Sequence, residues 1–208
     1  MKILHEIVET GPLQVNTQIL MREDRDDAVL IDPGGDAGQL LKILERAGRK
    51  LTHIVNTHGH FDHIGAVGAL QEKTGCHFWI HEADRFLVDA APRQAAMWGL
   101  SFGKTPRIDR ALQPGETLDV AGIALQVIHT PGHTPGGVCL RWGNDMAVGD
   151  TLFAGSIGRT DLPGGHHQTL LNAIRHQLLT LDDSVVCHPG HGPSTTIGAE
   201  RRGNPFLG

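Results

Sequence analysis

Thr57-His58-Gly59-His60-Phe61-Asp62-His63 decides the reading of this chain. Positions 58–63 hold three imidazoles and one carboxylate. Facing imidazoles and unpaired carboxylates withdrawn from water cost free energy unless a cation compensates them. A solvated polar turn would favour Asn, Ser, Gly and Asp over repeated His. The cluster therefore points to a divalent-metal site.

Working outward, residues 53–56 form a short apolar strand that delivers the chain into the cluster, and residues 64–73 carry apolar side chains at helical intervals. Upstream, 3–8, 15–21 and 28–31 read as strands, followed by a helix through Leu40, Leu41, Leu44 and Ala47 that stops at Gly48. Residues 77–80 are strand-like, and 82–106 read as helix plus loop. The signal then turns to β, with strands at 123–129, 137–141 and 146–148. A helix through Leu170, Leu171, Ile174 and Leu178 and a last strand at 184–187 follow. Strands in two batches, each followed by helices, suggest an αββα sandwich of two stacked mixed sheets, with 1–208 as one domain, although periodicity alone does not separate this from an ordinary doubly wound sheet.

Three further segments repeat one arrangement, a β-run ending in a glycine turn that carries a potential ligand. They contain His133 (Thr130-Pro131-Gly132-His133-Thr134), Asp150 (Val148-Gly149-Asp150-Thr151) and His191 (Pro189-Gly190-His191-Gly192-Pro193). Glycine beside each ligand permits close backbone approach. The pool becomes His58, His60, His63, His133 and His191 with Asp62 and Asp150. Seven N/O donors exceed the four of a structural zinc site and suit two metals sharing a carboxylate. Zinc is the first expectation, and without a thiolate ligand iron and manganese fit as well.

Composition removes other classes. The charge is −5, from 18 basic and 23 acidic residues, with no Lys/Arg run to track phosphates, so nucleic acid is not the expected partner. Cys76, Cys139 and Cys187 lie far apart without CxxC, which reads as reduced thiols in a cytoplasmic protein. The first residues carry no signal-peptide pattern, and no stretch approaches the roughly 18 apolar residues of a membrane span.

The order HxHxDH, PGH, GD, GHG resembles the metallo-β-lactamase fold superfamily across nearly the whole chain. That resemblance implies His58, His60 and His133 on one metal, Asp62, His63 and His191 on the other, and Asp150 bridging. It makes Asp32 the group that orients a ligand imidazole by hydrogen bonding. The text from Gly149-Asp150-Thr151-Leu152-Phe153 through Gly158-Arg159-Thr160-Asp161 to Asn204-Pro205-Phe206-Leu207 is similar to the glyoxalase II (hydroxyacylglutathione hydrolase) group, in its short bacterial form. Only 17 residues follow His191, so the helical domain that binds much of glutathione in long members has no counterpart. Nor has any glutathione-contacting tyrosine, since the chain contains none.

The resemblance implies a thioester hydrolase acting on S-lactoylglutathione or a relative. Attack by hydroxide held between the cations is expected, with Asp62 aiming it and no side-chain nucleophile. Arg159 is the candidate carboxylate grip, with a surface-loop position or a structural pair to Asp161 as the equal alternative. Phe153 is the candidate pocket aromatic, with a core position as its equal alternative. The bridging Asp150 weighs against a true metallo-β-lactamase, the missing tyrosine against a lactonase, and the lack of a clamp domain or basic exosite against a nuclease. A persulfide dioxygenase with one iron on two histidines and an aspartate is the main rival, and a non-catalytic metal-binding module the third reading. His188, His129, His166 and His167 lie near the motifs and are expected outside the ligand set.

Overall fold

In the computed structural model, which describes residues 2–208, alternation along the strands builds three apolar layers. The first sheet holds β1 (Ile3–Thr10), β2 (Val15–Arg22), β3 (Asp27–Ile31), β4 (Lys50–Val55), β5 (His77–His81) and β6 (Arg110–Leu112), hydrogen-bonded in that order. It is antiparallel from β1 to β3 and parallel from β3 to β6. The second runs β14 (Thr195–Thr196), β13 (Val186–Pro189), β10 (Asp145–Gly149), β9 (Val138–Trp142), β8 (Ile123–His129) and β7 (Thr117–Val120). Only its β10–β13 pair is parallel.

Successive strand side chains point to opposite faces. On β2, Ile19 and Met21 therefore join a helix-side core with Leu40, Leu44 and Leu70, while Leu20 joins Leu125, Val127 and Leu140 between the sheets. Residues of β3 divide the same way, Leu30 outward and Val29 and Ile31 inward. On the far side Cys139, Met146 and Val148 pack on Leu170, Ile174 and Leu178. Central strands buried on both faces explain the near-continuous apolar runs in the sequence. The αββα sandwich is the fold expected.

The outer helices are α1 (Ala37–Arg46), α2 (Phe61–Ile64), α3 (Val67–Thr74), α4 (Arg85–Met97), α5 (His167–Ala173) and α6 (Ile197–Gly203). A small hairpin, β11 (Leu152–Phe153) with β12 (Ser156–Ile157), follows β10. The helix expected over 64–73 is broken between α2 and α3. There Ala66 N donates to Pro33 O (3.0 Å), and a side chain on Gly65 would collide with the Gly34 carbonyl. Tertiary contact with the turn after β3 thus overrides local helical spacing. The helix through Leu170 begins at His167, with His166 accepting from Thr169 N, and its last turn widens to a π-turn over Ile174–Leu178. The short elements β6, β14 and α6 had no clear signal in the sequence.

Candidate metal centre

Each candidate donor leaves the C-terminal end of a strand. His58 and His60 follow β4 and lead into Asp62 and His63 on α2, His133 follows β8, Asp150 follows β10 and His191 follows β13. A strand end frees the chain to turn while the sheet holds its starting point, so four distant segments reach one cleft.

Two groups of donor atoms result, each within 4.8 Å of one another: His58, His60 and His133, and Asp62, His63 and His191. In the first, His133 Nε2 lies 3.0 Å from His60 Nδ1, and the His58 ring centre is 4.9 Å from each of the other two. In the second, His191 Nε2 lies 3.3 Å and His63 Nε2 3.8 Å from Asp62 Oδ2. Asp150 stands between them: its Oδ1 is 3.5 Å from His63 Nε2, and its Oδ2 is 3.7 Å from His133 Nε2 and 3.8 Å from His191 Nε2.

Polar atoms facing this space lack partners. His58 Nε2, His63 Nε2 and Asp150 Oδ1 are buried without a hydrogen bond among the described residues. Buried polar groups are normally satisfied, so orphaned imidazole nitrogens beside an orphaned carboxylate oxygen fit coordination to a cation. The opposite ring edges are hydrogen-bonded. His63 Nδ1 donates to Asp32 Oδ2 (3.0 Å), and His133 Nδ1 donates to the Arg159 carbonyl (2.7 Å). Each bond fixes the tautomer that leaves Nε2 as a lone pair facing the cleft. Asp32 also accepts from Thr57 N (2.7 Å) and Thr57 Oγ1, and it holds a left-handed backbone (φ 51). Strain of that kind is retained where neighbours over-determine it.

The electrostatics follow from crowding. Burial pushes the His60 imidazole down to about 3, aided by His133, and holds His58 well below its usual value. Burial also opposes charge on His63, yet Asp150, Asp62 and Asp32 outweigh it and carry this imidazole well above normal. Burial would raise the Asp150 carboxyl, but His63, His133 and His58 hold it well below the carboxylate range. His58 and His60 are thus uncharged beside an ionised Asp150, the states that bind metal, whereas His63 would give up a proton to a bound cation.

Two residues that sequence reasoning passed over hold these turns. Asp84, fully buried before α4, accepts from Gly59 N (2.9 Å), Thr134 Oγ1 (2.8 Å) and Gly136 N (2.6 Å). It thereby staples the His58/His60 turn to the His133 turn. Asn16 on β2 donates through Nδ2 to Pro189 O (3.0 Å) and Gly192 O (2.8 Å) and through its backbone N to Gly190 O (2.7 Å). It fixes the His191 turn. Each is a lone polar residue partnered more than 30 positions away in sequence, at Thr134, Gly136, Pro189 and Gly192, so no spacing signal could reveal it. Gly190 is required sterically, because a Cβ there would collide with Asp150 Oδ1 and the His63 ring.

The centre floors a cleft of about 400 Å³ walled by Leu13, Phe61, Leu87, Trp98, Leu162 and Pro163. Arg159 also lines it, but its guanidinium forks onto Asp161 through two 2.8 Å bonds. Phe153 sits on the β11 hairpin and is not among the cleft-lining side chains. His188 stands apart, with Nδ1 on Ser194 and Nε2 on Asp145. Together with His5 and Asp145 it forms a further donor group, but both of its ring nitrogens are satisfied, unlike those of His58 and His63. His129 bonds the Pro135 carbonyl, and His166 caps α5.

The sequence pattern of the metallo-beta-lactamase superfamily matches residues 10–191. The chain belongs to that superfamily. It is 40% identical over 211 aligned positions to hydroxyacylglutathione hydrolase GloC of Haemophilus influenzae, covering 97% of each chain. A crystal structure of BLEG-1, described as a B3 metallo-beta-lactamase, superposes with a TM-score of 0.91 at 38% identity, over 98% of this chain and 99% of that one. TTHA1623 in a di-iron-bound form gives 0.89 at 40% identity, over 97% and 100%. Like the superfamily generally, the fold is a metallo-hydrolase scaffold, and its His clusters suit divalent metal. No helix among the described residues is long and apolar enough to cross a membrane.

Proposed function

We propose that this protein is a dinuclear metal hydrolase that cleaves thioesters, with S-lactoylglutathione the first substrate to test. The observation that carries the reading is Asp150, whose two oxygens face two separate three-residue donor groups at the floor of an open cleft. His58, His60 and His133 would hold one cation, and Asp62, His63 and His191 the other, with Asp150 shared. Bound there, divalent cations supply a water acidified toward neutrality and a Lewis acid for a carbonyl oxygen.

The chain's own groups then have distinct tasks. Asp62 lines the cleft, and its carboxylate would accept a proton from the attacking water and aim it. Asp32 and the Arg159 carbonyl keep His63 and His133 in the required tautomers. Leu87, Phe61 and Trp98 exclude bulk water from one side of the reacting carbon. The similarity to hydroxyacylglutathione hydrolase GloC supports thioester chemistry over other hydrolyses. A dioxygenase with one iron needs only two histidines and one aspartate and would leave the donors around Asp62 without a role. The likeness to BLEG-1 gives β-lactam hydrolysis a place as a second reading.

The test is metal content together with turnover of S-lactoylglutathione, of a β-lactam, and of glutathione persulfide in an oxygen electrode. Two metals per chain with thioester cleavage and no oxygen uptake is the expected result. One iron with oxygen uptake would replace the proposal with the dioxygenase, and metal without turnover would leave a binding module.

A further inference from the structure

Cleft walls say which thioesters the centre can hold. Above the floor of His60, Asp62, Asp150 and His191, the lining is mostly apolar, with Leu87 and Met97 of α4, Trp98 at its end, Leu13, Leu162 and Pro163. Among the described lining residues the one guanidinium or ammonium belongs to Arg159, and its fork is taken by Asp161. Gln94 is the only other polar wall residue outside the donor groups. Glutathione carries two carboxylates and an ammonium, and this wall offers them little beyond one already-paired guanidinium.

Exposure sharpens the contrast. Of five large hydrophobic side chains left exposed among the described residues, Phe86, Met97 and Trp98 all lie on α4 or on the residue that ends it. Met97 is 87% and Trp98 54% exposed, and both line the cleft. Leu87, one turn into the same helix, is buried yet also reaches it. Scattered exposed hydrophobics need no explanation, but several apolar side chains from one helix lining a cleft over the donor groups mark a binding wall.

Resting on the thioester reading above, we infer that the enzyme selects its substrate by an extended uncharged hydrocarbon arm laid along α4. Its best substrates are thus medium-chain or aryl thioesters rather than the small hydroxyacyl conjugates of glutathione. Hydrolysis breaks the C–S bond and forms a C–O bond from water, so acid and thiol leave with the two protons of that water. Either side of the sulfur can supply the arm, and the experiment separates the two.

Turnover is measured with an acyl series, acetyl to hexanoyl, on one small uncharged thiol, and with a thiol series at constant acetyl. Each methylene buried against α4 is expected to raise kcat/KM about threefold. Hexanoyl, four methylenes longer, should therefore exceed acetyl by roughly eightyfold if the acyl side lies along α4. The same slope appearing only in the thiol series would assign the arm to the thiol side. Trp98→Ala should flatten whichever slope is seen. Slopes flat in both series while S-lactoylglutathione is cleaved efficiently would overturn the inference and leave the hydrolase reading standing. No cleavage of any thioester would overturn both.

Discussion

Asp84→Ala is the sharpest probe of how the centre is assembled. The carboxylate is fully buried and accepts three hydrogen bonds, from Gly59 N, Thr134 Oγ1 and Gly136 N. Hydrogen bonds to a charged acceptor contribute about 1.5–3 kcal/mol each, and stranding two buried N–H groups costs about 1–3 kcal/mol apiece. Burial works against this, pushing the Asp84 carboxyl above its ordinary range, so the sum overstates the effect. A net loss of about 3 kcal/mol is expected. Asp84→Asn, which keeps one acceptor oxygen, should lose about half as much. Urea unfolding of the metal-free protein measures this without the stabilisation that bound ligand adds. A second readout isolates the site: loosening the turn between His58 and His60 should weaken metal binding about 10–100-fold, although Asp84 belongs to neither donor group. A loss below about 1 kcal/mol with unchanged metal affinity would refute the stapling argument.

Gly190→Ala should cost about 1–3 kcal/mol and lower metal stoichiometry, because its methyl group would intrude on Asp150 and His63; full metal content would show that the turn can yield. Arg159→Gln should change KM for anionic and neutral thioesters alike, since its guanidinium is already engaged by Asp161; a rise confined to anionic substrates would restore Arg159 as a carboxylate grip. Burial pushes the thiols of Cys139 and Cys187 up to about 12 and raises Cys76, so all three stay protonated in the folded state near neutral pH. The thiolate is the reactive form, so a thiol reagent should label none of them until denaturant is added, and rapid labelling of folded protein would contradict the packing.

Much was legible because its information is local. The strand expected at 123–129 is β8, and the β-run at 28–31 is β3 with one residue added. The donors around His58 could be read because a six-residue segment holds four of them, and the later three because each sits beside glycine after a β-run. Other features had no local trace. The split between α2 and α3 comes from contact with the Pro33–Gly34 turn, and the cleft wall from Leu87, Met97 and Trp98, in a stretch expected only as helix plus loop. Phe153 looked like a pocket aromatic from its neighbourhood in sequence, but the hairpin that follows β10 carries it elsewhere.

By itself the sequence supplied the order of strands and helices, which the superfamily resemblance turned into a two-sheet sandwich, and it named seven candidate donors. It could do so because hydrophobic alternation and ligand spacing are carried by residues close together along the chain. Tertiary structure alone decided that Asp84 and Asn16 clamp their turns and that Arg159 turns its charge to Asp161 while its carbonyl orients His133. Apart from the local Arg159–Asp161 pair, those relations join distant segments between 16 and 192 only after the sheets have packed, and a hydrogen bond to a backbone atom leaves no mark on the identity of the residue that supplies it.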